Sequence, residues 1–253
     1  MITLVYDGTF EGLLTVIFEV YEHKLTQVKI CSETKLQPNF FDDKRSIASD
    51  TAKANRVLKG LTQRLSAGGV QRLYAAHLSE QDGEEENLLG FIQYAFSSKE
   101  AVEEDFGNRY VIRLTDTLKK IRREKHRMEA FIRFQKMADD LFYASVEPDF
   151  NVLPLILTHF KKRYADQKWL IYDIRRGYGL YYDLSEVDFI QLDFASGKPY
   201  GKTIISSYSE DETLYQALWK DYFKHVNIPA RKNTKLHLQH VPKRYWKHLT
   251  EKF

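Results

Sequence analysis

LFYASVEPDFNVLPLILTHFKKRYADQKWLIYDIRRGYGLYYD, residues 141–183, decides how the chain folds. It opens on a strand-like run, 141–147, that Pro148-Asp149 closes. Leu153, Ile156, Leu157 and Phe160 then recur at helical spacing, which predicts a helix over Leu153–Tyr164. Trp169–Ile174 and Tyr178–Asp183 read as a hairpin turned at Arg175-Arg176-Gly177, where glycine supplies a positive φ. Upstream, EKHRMEAFIRF, residues 124–134, changes character midway: a basic helix over about 108–127, with Val111, Leu114, Leu118 and Ile121 as its apolar stripe, gives way to a strand at 129–135. Met137–Asp140 turns that strand onto 141–147, and a last short strand is expected at Val187–Leu192. Strand–strand–helix–strand–strand predicts an α+β fold whose C-terminal half is an antiparallel sheet flanked by helices.

The N-terminal half reads as mainly helical with short strands. Ile2–Tyr6 and Gln27–Cys31 are strand candidates, and Asp7-Gly8-Thr9 is a turn that supplies an N-cap to a helix over 10–21. That helix start is also a place where a phosphate or carboxylate can sit, although capping is the simpler use. A loop is expected around Pro38-Asn39, then helices at 46–66, 69–79 and 84–97. The expected division is 1–107 and 108–253, packed as one unit. Toward the C-terminus a loop at 196–209, a helix at Glu212–Val226 stopped by Pro229, and a short helix beginning at Pro242 complete the reading.

With 253 residues, 43% hydrophobic and 14% aromatic, the chain has enough apolar material for a core without staples. Cys31 is the one cysteine, so no disulfide framework and no cysteine-based zinc or iron–sulfur site is expected within it. No apolar run approaches the ~20 residues of a membrane span, and MITLVYDGTFEG lacks a signal-peptide pattern. A cytoplasmic protein without membrane contact is expected. The net charge is +3, but charge is segregated: residues 80–105 are acidic, whereas 119–136 and 221–253 are basic. Each run is either a solvated face or part of a local field.

YDGTFEGLLTVIFE (6–19), KHRMEAFIRF (125–134) and YASVEPDFNVLPLILTHFKKRY (143–164) resemble one family, as do WLIYDIRRGYGLYYD (169–183), LWKDYFKHVNIPARKN (218–233) and HVPKRYWKHLTE (240–251). It is the bacterial family described as "probable DNA metabolism protein", whose C-terminal half is a domain of unknown function. The resemblance implies a setting in DNA repair or modification. It also implies a radical S-adenosylmethionine protein as partner, and kinship with chains fused to a uracil-DNA-glycosylase-like region. S-adenosylmethionine and the iron–sulfur cluster are then expected in the partner only, and no cofactor in this chain.

Phosphate binding needs Lys and Arg on one connected surface, with aromatics beside them for base stacking. Three places qualify: the basic helix with His126, Arg127 and Arg133; the Arg175-Arg176 tip flanked by Tyr172 and Tyr178; and Arg231, Lys232, Lys235, Lys243, Arg244, Trp246 and Lys247 near the C-terminus. Arg127 and Arg133 are expected to face the same side as Arg175 or Arg176. Glu147, Asp173, His126 and His159 are weak candidates for acid–base chemistry. They equally fit ordinary caps, ion pairs and helix-surface positions. No metal motif appears; His237 and His240, three apart, are the nearest approach to one. The leading expectation is a DNA-binding accessory protein. A repair glycosylase or hydrolase and a protein-only scaffold are the rivals, and RNA in place of DNA stays open. The acidic segment is expected either to dock a basic protein or to regulate the positive surface.

Overall fold

The structure is a computed structural model that describes residues 2–36, 43–138, 140–191, 212, 216–218, 238 and 241–252. It divides into two compact units, residues 1–122 and 123–253, so that one long helix is shared between them.

In the first unit, β1 (Ile2–Tyr6) lies between β2 (Val28–Ser32) and β3 (Asp43–Ser46), and both pairings are parallel. Parallel neighbours need a crossover, and α1 (Phe10–Glu22) supplies it between β1 and β2. Leu13, Leu14, Val16, Ile17 and Val20 of α1 are buried. The helices α2 (Thr51–Arg64), α3 (Gly69–His77) and α4 (Glu84–Ser97) complete the core through Leu61, Leu73, Leu88 and Phe91. β3 has no counterpart in the sequence reading: its four side chains are all exposed and it is paired through its backbone, while the loop expected around Pro38-Asn39 falls within 37–42, outside the described residues.

Thr9 is the N-cap of α1, accepting from the Gly12 N–H at 2.9 Å. Asp7 holds the turn: one carboxylate oxygen accepts from the Thr9 N–H and hydroxyl, the other from the Ser49 hydroxyl at 2.7 Å. A Cβ at Gly12 would strike both Asp7 and Ser49, so glycine is what lets this tie form. Partial burial works against the Asp7 charge, but hydrogen bonds from Ser49 and Thr9 outweigh it and hold the carboxyl below its ordinary value. A group lowered in this way stabilises the fold above its unfolded pKa, and that contribution is lost as pH falls through the folded one. Asp7→Ala is expected to cost about 1–2 kcal/mol at pH 7 in urea unfolding. The gap from wild type should close as pH falls below the ordinary carboxylate range. A gap unchanged in acid would show that Asp7 acts without its charge.

In the second unit the sheet runs β4 (Gln135–Lys136), β5 (Phe142–Val146), β6 (Trp169–Asp173), β7 (Tyr178–Tyr182), β8 (Val187–Ile190). Three ladders are antiparallel as expected, but β5 and β6 are parallel, which makes the sheet mixed. The reason is the helix α6 (Leu153–Arg163), which carries the chain back before β6 begins. Central β6 is buried along its whole length. Trp169 packs against Phe160 and Tyr182, at ring separations of 6.2 and 5.5 Å. Leu170 and Tyr172 join Tyr143 in a second apolar cluster.

The expected strand at 129–135 is corrected. The helix α5 runs from Arg109 to Phe131, and only Gln135–Lys136 pairs as a strand. Met128 and Ile132, both buried, prolong the stripe of Leu114 and Ile121, so the apolar period stays helical. Arg133 then folds back and donates to the carbonyls of Ala130 and Ile132, satisfying acceptors at the end of the helix. The expected loop at 196–209 lies outside the described residues, as does most of the helix expected at 212–226. Pro242 leads, as expected, into a short helix, a 3-10 helix over Lys243–His248.

Candidate nucleic-acid interface

The loop after β5, Glu147–Asn151, is gripped from two sides within the second unit. On one side is the β6–β7 tip. Asp173, fully buried at the end of β6, accepts from the Arg175 and Arg176 N–H groups at 2.9 and 3.1 Å, and from the Arg176 guanidinium at 2.8 Å. Burial pushes the Asp173 carboxyl up, and the Arg176 hydrogen bond and charge recover only part of that. The same guanidinium donates to the carbonyls of Pro148 and Asp149, and Arg175 donates to the Asp149 carbonyl at 3.3 Å. Tyr178 donates to the Asn151 side chain.

On the other side is the C-terminal 3-10 helix. Arg244 meets Asp149 at 2.7 Å and Glu124 at 3.1 Å, while Lys247 meets Glu147 at 2.5 Å. Glu124 is the hub: it is buried, accepts from the Asp149 N–H at 2.8 Å and the Tyr245 hydroxyl at 2.6 Å, and faces Arg127 at 3.6 Å. Burial, joined by the Glu124 carboxylate, pushes the Tyr245 phenol above its ordinary value. Trp246 anchors its indole N–H on the Val241 carbonyl, and Lys243 and Lys252 stand 6.0 and 5.2 Å from its ring.

The structure thus places Arg175, Arg176 and Arg244 on one loop, with Arg127 against Glu124, which also binds that loop, and with Lys243 and Trp246 on the same short helix as Arg244. Arg133 does not join them, because its guanidinium is turned onto its own helix end. Arg231, Lys232 and Lys235 lie outside the described residues. Arg176, expected as an open cation, has a side chain only 9% exposed and bound to Asp173. Tyr172 is buried and so cannot flank the tip as expected, whereas Tyr178 stacks on Phe189 at 6.2 Å. Glu124 and Asp149 escaped the sequence reading as members of this cluster, whereas Lys247 belonged to its C-terminal basic set. Glu124 had a signal: it falls three residues after Ile121 and four before Met128, a carboxylate on the apolar stripe of α5.

The candidate acid–base groups do not meet. Glu147 pairs with Lys247, Asp173 with Arg176, and His159 lies 3.9 Å from Glu129. His126 is exposed, and among the described residues no hydrogen bond or ion pair links either histidine to Glu147 or Asp173. For a metal, Glu19, Glu22 and His23 bring ligand atoms within 4.8 Å of one another, but Glu19 is already held by Lys53 and Arg45. His237 and His240 are outside the described residues.

Part of the acidic segment is engaged internally, while Glu80, Asp82, Glu100, Glu104 and Asp105 are exposed. Glu84 and Glu85 are buried, Glu86 accepts from the Ile30 N–H, and Glu103 binds Arg72. Among the described residues, no helix is long and apolar enough to cross a membrane.

A family profile described as "Domain of unknown function" (DUF4130) matches residues 82–251, more than half of the chain. The chain belongs to the DUF4130 family. The match contains the Glu147–Asn151 loop together with Glu124, Arg175, Arg176, Arg244 and Lys247, so this cluster belongs to the DUF4130 domain. No curated protein matches the chain. Among solved structures, the chain is similar to a pGpG-specific phosphodiesterase, PggH from Vibrio cholrae, at 11% identity and a TM-score of 0.33, covering 86% of this chain and 96% of that one. A likeness at that score supports no transfer of fold or activity.

Proposed function

We propose that this DUF4130 protein is a cytoplasmic DNA-binding accessory factor in DNA repair or modification. It acts beside a radical S-adenosylmethionine enzyme that supplies the cluster and the cofactor chemistry. The observation that carries the reading is the gathering of Arg175, Lys243, Arg244 and Lys247, with Trp246 among them, around the Glu147–Asn151 loop. Several of these cations already hold carboxylate or carbonyl oxygens, the chemistry a backbone phosphate presents. Trp246, beside Lys243, is the residue type on which an unpaired base stacks. Resemblance to the DNA-metabolism family supplies the biological setting. The rival reading, a glycosylase or hydrolase, would need Glu147, Asp173, His126 or His159 to work together, and they share no bond.

The purified protein is expected to bind oligonucleotides at low ionic strength, with affinity falling steeply as salt is raised. It should release no product alone from uracil-, alkyl- or photoproduct-containing DNA, with or without divalent metal. Turnover by the protein alone would establish the enzyme reading. Absence of binding at low salt would remove the DNA reading altogether. Co-elution of the two purified proteins tests the partnership separately.

A further inference from the structure

The start of α5 carries two clefts inside the first unit. The first, of about 590 Å³, is within the ~300–1,000 Å³ range of small-ligand sites. Arg109, Arg113 and Lys120 line one wall of it, which their spacing of four and seven places on one side of the helix. The turn before α4, with Gln81 and Asp82, forms the other wall.

Its polar groups are fixed in advance. Lys120 donates to the Gln81 amide oxygen at 3.0 Å, and the Gln81 amide nitrogen donates to the buried Thr117 hydroxyl at 3.3 Å. Thr117 in turn donates to Glu84 at 3.1 Å. Arg113 donates to the Asp82 carbonyl at 2.7 Å and lies against Gly83, where a Cβ would come within 3.2 Å of its guanidinium. Gly83 has φ +72°, so a side chain there is strained as well as crowding. Burial pushes the Glu84 carboxyl up toward its neutral form, against the hydrogen bonds of Thr117 and Asn87. Of the two aspartates at the rim, Asp116 is engaged by Lys119 at 3.0 Å. Three cations and two aspartates line the cleft, an excess of one positive charge, and Arg113 also faces Glu84 at 3.6 Å.

The second cleft, of about 520 Å³, is aromatic: Tyr21, Tyr94, Phe96 and Tyr110 line it, with Asn108 at its edge. Arg109 divides the two, its guanidinium 4.6 Å from the centre of the Tyr110 ring. Arg109 of the first cleft stacked on Tyr110 of the second sets cationic and aromatic groups side by side, which suits a ligand with a phosphate at one end and a flat ring at the other.

We propose that these clefts form a nucleotide-binding site, with the phosphoryl group against Arg109, Arg113 and Lys120 and the base beside Tyr110. The phosphoryl group belongs either to a free nucleotide or to the 5′ end of a strand. The site is independent of the interface around the Glu147–Asn151 loop, and the test keeps them apart by using full-length protein carrying Arg175→Glu, Lys243→Glu and Lys247→Glu.

Titration calorimetry with AMP, adenosine and inorganic phosphate is expected to give saturable 1:1 binding of AMP, weaker binding of phosphate and none of adenosine. Arg109 and Lys120 are exposed, so Arg109→Ala with Lys120→Ala should leave the thermal midpoint unchanged while weakening AMP at least ~10-fold. Tyr110→Leu should weaken AMP but not phosphate. A 5′-phosphorylated decamer that displaces AMP where its 5′-hydroxyl form does not identifies a strand end as the source; failure of both identifies the free nucleotide. The proposal is overturned if AMP gives no saturable signal at millimolar concentration in low salt, or if the folded double variant binds it as tightly as the parent.

Discussion

Glu124→Ala should destabilise the second unit by about 3–5 kcal/mol, the scale seen when one partner of a buried charged network is removed. Glu124 accepts from the Asp149 N–H and from the hydroxyl of Tyr245, which is 2% exposed, and it meets the guanidinium of Arg244. Alanine leaves the Tyr245 hydroxyl a buried donor without an acceptor, costing about 1–3 kcal/mol, and takes the acceptor from the part-buried Asp149 N–H. It also leaves Arg244 with Asp149 as its remaining carboxylate. A fall in thermal midpoint of roughly 10 °C or more is the expected readout for a unit of this size. Tyr245→Phe removes one donor and leaves the carboxylate its other partners, so its cost should be nearer ~1 kcal/mol. Equal losses from the two variants, or a Glu124→Ala loss below about 1 kcal/mol, would show that the hub is ornamental.

Charge reversal at Arg175, Lys243 and Lys247 should weaken binding of single-stranded DNA by roughly 100-fold at low ionic strength. It should also flatten the dependence of log affinity on log salt by about 2, three contacts at ~0.7 each. Arg176 is left alone because its guanidinium holds Asp173, and reversing it would unfold the tip rather than test the surface. Glu147→Gln tests the same idea with opposite sign. It frees Lys247 from its carboxylate at 2.5 Å and should tighten binding. A triple variant that stays folded and binds as wild type would falsify the interface. Unchanged affinity in Glu147→Gln would show that loop carboxylates and phosphates do not compete.

What was legible in the sequence divides by the kind of force that places each residue. Apolar periodicity marked α4, the hairpin of β6 and β7, and the stripe of α5, because burial of those side chains is what fixes them. Asp43–Ser46 was invisible for the complementary reason: all four side chains are exposed, and an edge strand held by backbone pairing leaves no alternation to read. At Ala130–Phe134 two periods competed: the helix holds as far as Phe131, and Ile132 is buried just past its end. The basic places were legible as residue types. Their partners were not, since Glu124, Asp149 and Glu147 meet Arg244 and Lys247 from about 100 or more positions away in the chain. Charge counts along the sequence therefore overstated how bare the positive groups are.

The side-by-side, same-direction run of β5 and β6 sets an order of events as the polypeptide leaves the ribosome. β5 emerges first and has only the two-residue β4 to lean on, whereas its main neighbour is still being synthesised beyond α6. β6 and β7 need just a short tip to zip together, so this local ribbon forms early and presents an edge to which the waiting segment attaches once α6 has docked. Nascent chains halted before residue 182 should hold 141–146 open to protease, and release past that point should close it.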